Sequence, residues 1–464
     1  MIKRVFLLFL VAIFGCADPQ VETIPNGNTG FDQSSVPFVS FEADEEIPDE
    51  PKVPGRLFIY NQGEELYASE MGIELRGSTS RRLFPKKSYG IELKEANGED
   101  RSVDLFGFGD EEDWVLYGPY SDKTFMRNAL IYLVSNQIGV YAPETQFVEV
   151  EKDGEYIGLY LMMERIKRGV NRLDIERMNA GVTSGDALTG GYMLKIDKTS
   201  GDTGNSDWAG DALYSERLGF RSAYGADGNP LAYEPFGDKR GEETYFLYEY
   251  PSRENINQAQ KDYIQGYIAA FEEALLNDDF TAENRAYARY IDLNSFADFF
   301  ILNEIAANPD GYRLSTFLHK PQNEKLKMGP IWDFNLAFGN DGRSSRTGWM
   351  YQYNRNFPGD LWLIHFWWER LLEDPQFKAV VKQRWELHKS GRLSVGNMVN
   401  IIDQWSTYLN ENGAVERNYD RWPVLGTGLP FNSFVGQTYE EELTYLKQWI
   451  IGRHFWMDQQ ISAW

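Results

Sequence analysis

The chain has 464 residues, 42% hydrophobic and 15% aromatic, with one cysteine, four histidines and a formal net charge of −24. That apolar content is ample for a sizeable core, while the acidic balance argues against nucleic acid as a main partner, because no basic excess exists to displace phosphate counterions. One cysteine leaves no intramolecular disulfide and no Cys-based zinc site, and His319, His365, His388 and His454 lack the spacing of a zinc hydrolase.

Met1 to Arg4 is a short basic region, and Val5 to Phe14 an apolar run of signal-peptide length, too short to span a bilayer. Ile13-Phe14-Gly15-Cys16 resembles a bacterial lipoprotein cleavage site. The resemblance implies a signal peptide over 1–15, lipidation of Cys16, and a protein tethered to a membrane outside the cytoplasm. Residues 16–54 are rich in Pro, Gly, Asn, Asp and Glu, and read as a disordered, self-repelling acidic linker ahead of a domain over 55–464.

From Arg56 to about Lys94 short alternating runs predict strands, among them Gly72 to Arg76 and Ser88 to Leu93. Between them, Arg76, Arg81, Arg82, Lys86 and Lys87 sit among Gly and Ser, a composition suited to cradling phosphates through backbone N–H groups and bidentate guanidinium contacts. One of Lys86 and Lys87 should reach a nucleotide, and alternation does not choose between them. Asp113 to Leu116 reads as a strand, and Lys123 to Ile138 as a helix capped by Asp122, with Arg127 and Asn128 in its second turn. Lys152-Asp153-Gly154 predicts a hairpin turn. Glu164 follows the second hairpin strand, where it either pairs with a phosphate-binding Lys or forms a surface salt bridge. Tyr192 to Asp197 is one more alternating strand and closes a β-rich part over about 55–198.

Residues 199–244 read as a long surface insertion and a candidate substrate-facing segment. A mainly helical part follows over 245–464, with helices at Gln258 to Leu276, Tyr287 to Ala307, Leu361 to Leu372, Gln376 to Ser390, Val395 to Leu409 and Tyr439 to Gln459. Trp362, Trp367, Trp368, Trp449 and Trp456 recur at helical spacing, as core residues do. Asp310 follows an apolar helical run and lies between Pro309 and Gly311, on a loop that can aim a side chain. Ile331 to Leu336 predicts a short strand, whose alternation puts Asp333 and Asn335 on one face and Trp332 and Phe334 on the other. Oxygen ligands a pleat apart suit a hard cation such as Mg²⁺.

Asn308-Pro309-Asp310 and Trp332-Asp333-Phe334-Asn335, around Tyr312, Ser315, Lys320 and Gly329-Pro330, resemble the spore coat protein H (CotH) family of atypical protein kinases. Arg76 to Arg81, Phe84 to Tyr89, Asp122 to Asn128, Gly158 to Glu164 and Gly190-Gly191-Tyr192 extend the resemblance in order. It implies an α+β, two-lobed, kinase-like fold and Mg-dependent transfer of the ATP γ-phosphate to a Ser/Thr hydroxyl of a protein. By the resemblance Asp310 is the catalytic carboxylate, Asp333 the metal ligand and Asn335 a second, neutral one. Lys86 or Lys87 with Glu164 would serve catalysis, and Arg76, Arg81, Arg127 and Trp332 would bind the nucleotide. An extracytoplasmic lipoprotein lacks an obvious ATP supply, and the alternative is a catalytically weak, tethered protein that binds a glycan, peptide or host ligand.

Overall fold

A computed structural model describes residues 35–200, 211–281 and 283–464. Cys16 and the signal-peptide reading lie outside the described residues. Strands β1 (Phe38–Ala43), β2 (Val53–Asn61), β3 (Glu64–Arg76), β4 (Ser88–Lys94), β7 (Asp113–Tyr117), β8 (Thr145–Lys152) and β9 (Glu155–Glu164) close into a barrel in the order β1-β2-β3-β4-β7-β9-β8. The short strands β5 (Val103–Asp104) and β6 (Asp110–Glu111) form a separate ladder. Alternation builds the barrel core: Val39 and Phe41 of β1, Leu57 and Ile59 of β2, and Ile73 of β3 are wholly buried. Asp153 and Gly154 turn the β8–β9 hairpin with φ of 50° and 79°, the left-handed pair that a two-residue turn needs.

β1 corrects the linker reading. It lies inside the segment taken as a spacer and pairs with β2 and, in parallel, with β8. The composition of residues 17–54 is dominated by Pro, Asp and Glu, and the Phe38 to Phe41 alternation is too short to lift that average. Past β1, Ile47 is buried, and the Pro48 carbonyl accepts the Leu75 N–H at 2.7 Å.

A second, antiparallel sheet has the order β11-β12-β10-β13-β14, from β10 (Tyr192–Ile196), β11 (Gly219–Arg221), β12 (Tyr245–Tyr250), β13 (Thr316–Lys320) and β14 (Lys327–Met328). β11 belongs to the predicted surface insertion, yet Leu218 and Phe220 are buried, so part of that segment is sheet. Helices α1 (Thr79–Leu83), α2 (Arg127–Gln137), α3 (Gln258–Asn277), α4 (Leu293–Ala306), α5 (Tyr353–Asn356), α6 (Trp367–Leu371), α7 (Pro375–His388), α8 (Val395–Glu411), α9 (Ala414–Arg421) and α10 (Tyr439–Ser462) complete an α+β chain, β-rich first and helical after. Asn257, Asp374, Ser394 and Thr438 cap α3, α7, α8 and α10, which fixes those predicted starts to within a residue.

Three helices begin later than expected, the first of them α4, predicted from Tyr287 but capped by Asp292 and helical only from Leu293. The Asp122 carboxylate accepts the Thr124 and Arg127 N–H groups, and Phe125 takes a φ of 67°, so residues 122–126 form a turn and α2 starts at Arg127. Asn354 Oδ1 and Asp360 Oδ1 accept the Ile364 and Trp362 N–H groups, which leaves only Trp367–Leu371 helical in the predicted 361–372 stretch. Trp367, Trp368 and Trp449 are core, as their spacing predicts.

Candidate active site

The barrel, the second sheet and the loops after α4 and β14 enclose a cavity of about 520 Å³. That volume lies in the range of small-molecule sites. Asp310 and Asp333 both line it. α4 stops at Ala307, whose left-handed φ of 41° turns the chain into Asn308-Pro309-Asp310. Glu304, in the last turn of α4, is clamped from α10. Arg453 donates Nη2 to its carboxylate at 2.8 Å and Nε to its carbonyl at 2.7 Å, with both side chains wholly buried. Asn308 joins the two loops, because Oδ1 accepts the Asp310 N–H at 3.2 Å and Nδ2 donates to the Asp333 carbonyl at 3.4 Å. The Asp310 carboxylate lies 2.7 Å from Arg313 and 3.6 Å from Arg343.

The predicted strand over Ile331 to Leu336 does not form. Asp333 has a φ of 60°, outside strand geometry, and its N–H donates to the Tyr132 hydroxyl at 2.8 Å. Phe334 N–H donates to Asn128 Oδ1 at 2.7 Å, so side chains of α2 replace a strand partner. Asp333 and Asn335 still share the cavity, through a turn instead of a pleat. Burial pushes the Asp333 carboxyl up to about 7, and the charges of Asp310 and Asp197 add to that rise. Asn335 is hydrogen-bonded to Tyr117, whose buried hydroxyl faces the charges of Asp122 and Asp333. Trp332 lines the cavity and stacks on Tyr132, with centroids 6.2 Å apart and planes 17° apart.

Arg76 and Arg81 also line the cavity, and Arg81 Nη1 lies 2.8 Å from Asp49. The other predicted groups lie elsewhere. Lys86 is buried beneath α9, with Nζ donating to the Leu159 and Pro119 carbonyls at 2.6 and 3.3 Å and to Asn418 Oδ1 at 2.8 Å. Gly158 lets that helix approach, since a Cβ there would meet Asn418 Oδ1 at 2.8 Å. Lys87 donates to the Arg81 and Phe84 carbonyls at 2.6 and 2.7 Å, closing the C-terminal end of α1. Glu164 pairs with Arg172 at 2.5 Å and accepts from Tyr141 and the Glu144 N–H, and burial lifts its carboxyl to about 7. Arg127 holds Asp122 at 2.5 Å and donates to the Ala337 carbonyl at 3.1 Å, bracing the Asp333 loop without lining the cavity.

The cations that do line the cavity include Lys195, Lys198 and Arg165, which the sequence reading did not single out. Lys195 sits on β10 with its Nζ 3.6 Å from Glu249 and 3.9 Å from Asp197. The β10–β12 register slips so that Met193 faces Tyr250 and Leu194 faces Tyr248, and Glu249 is the skipped residue beside Lys195. Alternation in Lys195-Ile196-Asp197 was the available signal, since it puts the lysine and the aspartate on one face. The bulge that supplies Glu249 leaves no comparable pattern.

A family model described as CotH kinase protein matches residues 73–457. The chain belongs to the CotH kinase family. The match spans the arginine loop, Lys195, Asp310 and Asp333, so both sides of the cavity fall within the CotH region. No match was found among curated proteins.

Proposed function

We propose that this CotH-family protein is a divalent-cation-dependent kinase that moves the γ-phosphoryl group of ATP to a Ser/Thr hydroxyl of a protein. The observation that carries the reading is the meeting of Asp310 and Asp333, in unlike surroundings, in one cavity whose lining also sets cations such as Arg76, Arg165 and Lys195 among its carboxylates. Asp333 and Asn335 offer the hard oxygen donors that suit Mg²⁺, and the crowding of Asp333 by Asp310 and Asp197 is of the kind a cation relieves. A bound Mg²⁺ would neutralise charge on the phosphate oxygens.

The chain's own residues divide the remaining work. Lys195, steadied by Glu249, and Arg76 and Arg165 draw phosphate oxygens to the barrel side. Trp332, Phe317 and Met163 give the base an apolar wall. Asp310, fixed by Arg313 and by the Asn308 bridge, orients the acceptor hydroxyl and takes its proton as the oxygen attacks the γ-phosphorus and the bond to the β–γ bridging oxygen breaks. The barrel and the helical half act as two lobes around this cleft in our reading. Lipidation of Cys16 and a place outside the cytoplasm belong to the same proposal.

The test separates the two carboxylates. Asp333→Asn should weaken Mg²⁺-dependent ATP binding as well as transfer, whereas Asp310→Asn should bind ATP like wild type and lose roughly 10²-fold or more in transfer. Calorimetric titration and a phosphotransfer assay read the two effects. A wild-type protein with no Mg²⁺-dependent ATP binding would sink the kinase reading.

A further inference from the structure

Residues 44–52 connect β1 to β2 along the wall of the cavity that carries the arginine loop. This strap is fixed at two points, by the buried Ile47 side chain and by the Pro48 carbonyl, which takes the Leu75 N–H one residue before Arg76. Asp49 follows at once and lines the cavity. Its carboxylate lies 2.8 Å from Arg81 Nη1, and Arg81 Nε is committed to the Gly77 carbonyl at 3.0 Å, so the guanidinium is set with its outer edge toward Asp49. Arg82 is turned the other way, bonded through both terminal nitrogens to Asp211 at 2.9 and 2.8 Å. Burial pushes the Asp49 carboxyl up, and the charges of Arg81, Arg82 and Arg76 oppose that rise, so the carboxylate lies in the combined field of three loop arginines.

A guanidinium edge accepts a carboxylate and a phosphate in the same geometry, and one edge serves one anion at a time. We propose that Asp49 is an internal stand-in for a phosphate group: it fills the anion seat on Arg81, and an entering polyphosphate must displace it. The strap between β1 and β2 then sets how tightly the cavity takes nucleotide, an inference that rests on reading the cavity as a nucleotide site. The affinity measured for a protein whose seat is open only part of the time falls in proportion to the open fraction, so a strap seated nine-tenths of the time weakens binding about tenfold. Like-charge repulsion between Asp49 and the incoming phosphate acts in the same direction.

The experiment titrates the full chain calorimetrically with inorganic tripolyphosphate and, separately, with Mg²⁺-ATP. Asp49→Asn and Asp49→Ser should bind tripolyphosphate about tenfold tighter than wild type. Glu46→Gln, an exposed acid of the same strap, should match wild type. Adding Arg81→Gln to Asp49→Asn should erase the gain. Unliganded melting curves check that each variant is folded, and two different replacements at position 49 guard against a misfolded one. Affinity unchanged or reduced in the folded Asp49 variants overturns the proposal, as does tripolyphosphate binding by neither wild type nor variant. If tripolyphosphate shows the gain while ATP binds to no protein in the set, the strap proposal stands and the nucleotide reading fails.

Discussion

Lys86 and Lys195 are two ammonium groups with opposite surroundings. Lys86 has three oxygen acceptors, all uncharged, which match the three donors of an ammonium, and burial pushes its pKa well below the usual lysine range. Lys195 has carboxylates at 3.6 and 3.9 Å, beyond direct hydrogen-bond contact, and stands at the wall of the cavity. A lysine that spends every donor on carbonyl and amide oxygens joins chain segments, here β9 to α9. A lysine set at the cavity wall beside two carboxylates stands where an entering phosphate oxygen can meet it.

That contrast breaks most visibly under substitution. Lys195→Met should leave the melting temperature near wild type while cutting phosphoryl transfer about 10²- to 10³-fold, the usual scale for removing one positioned charge from a transition state. Equal transfer rates in the two proteins would place the phosphate cation elsewhere. Lys86→Met should do the reverse, costing about 1–3 kcal/mol in a urea melt because buried oxygens lose their hydrogen-bond donor. A folded Lys86→Met protein should retain nucleotide affinity, and selective loss of that affinity would contradict the division.

A smaller effect sharpens the comparison on the acidic side. The Asp333 carboxyl sits at about 7 in the folded protein against an ordinary 3.8, so the native state holds its proton at pH values where the unfolded chain has released it. The stabilisation is fully present below the unfolded value and is lost as pH rises through about 7. Without added cation, Asp333→Asn should therefore lose less stability than wild type between about pH 5 and 8. Added Mg²⁺ at the upper end should stabilise wild type more than the variant. Parallel stability profiles for the two unliganded proteins would remove this account of Asp333.

The parts that sequence made legible follow from local pattern. Caps and apolar period marked α3, α7, α8 and α10, the Asp153-Gly154 turn marked its hairpin, and the Pro309 to Gly311 setting marked Asp310 as a loop carboxylate. Asp333 and Asn335 were found for the right company and the wrong geometry, because the bonds that hold their loop come from Tyr132 and Asn128, about two hundred residues away in sequence. The error at Lys86 has a similar origin. Its donors end on Leu159 and Asn418, and no reading of residues 76–89 alone reveals acceptors that distant. Glu249 was hidden by a register slip between β10 and β12, which depends on the pairing of two strands and not on either one.

The clamp of Arg453 on Glu304 has a consequence for synthesis. A ribosome releases α4 and Asp310 well before the part of α10 that carries Arg453. Until that arginine emerges, Glu304 is a carboxylate with no cation to meet it in a place without water, and burying such a charge costs several kcal/mol. The end of α4 therefore gains its full set of partners only when α10 arrives, and the Asp310 loop that hangs from it is held from both sides only then. The pocket is finished only once α10 has packed, about 140 residues of synthesis after Asp310 itself is made.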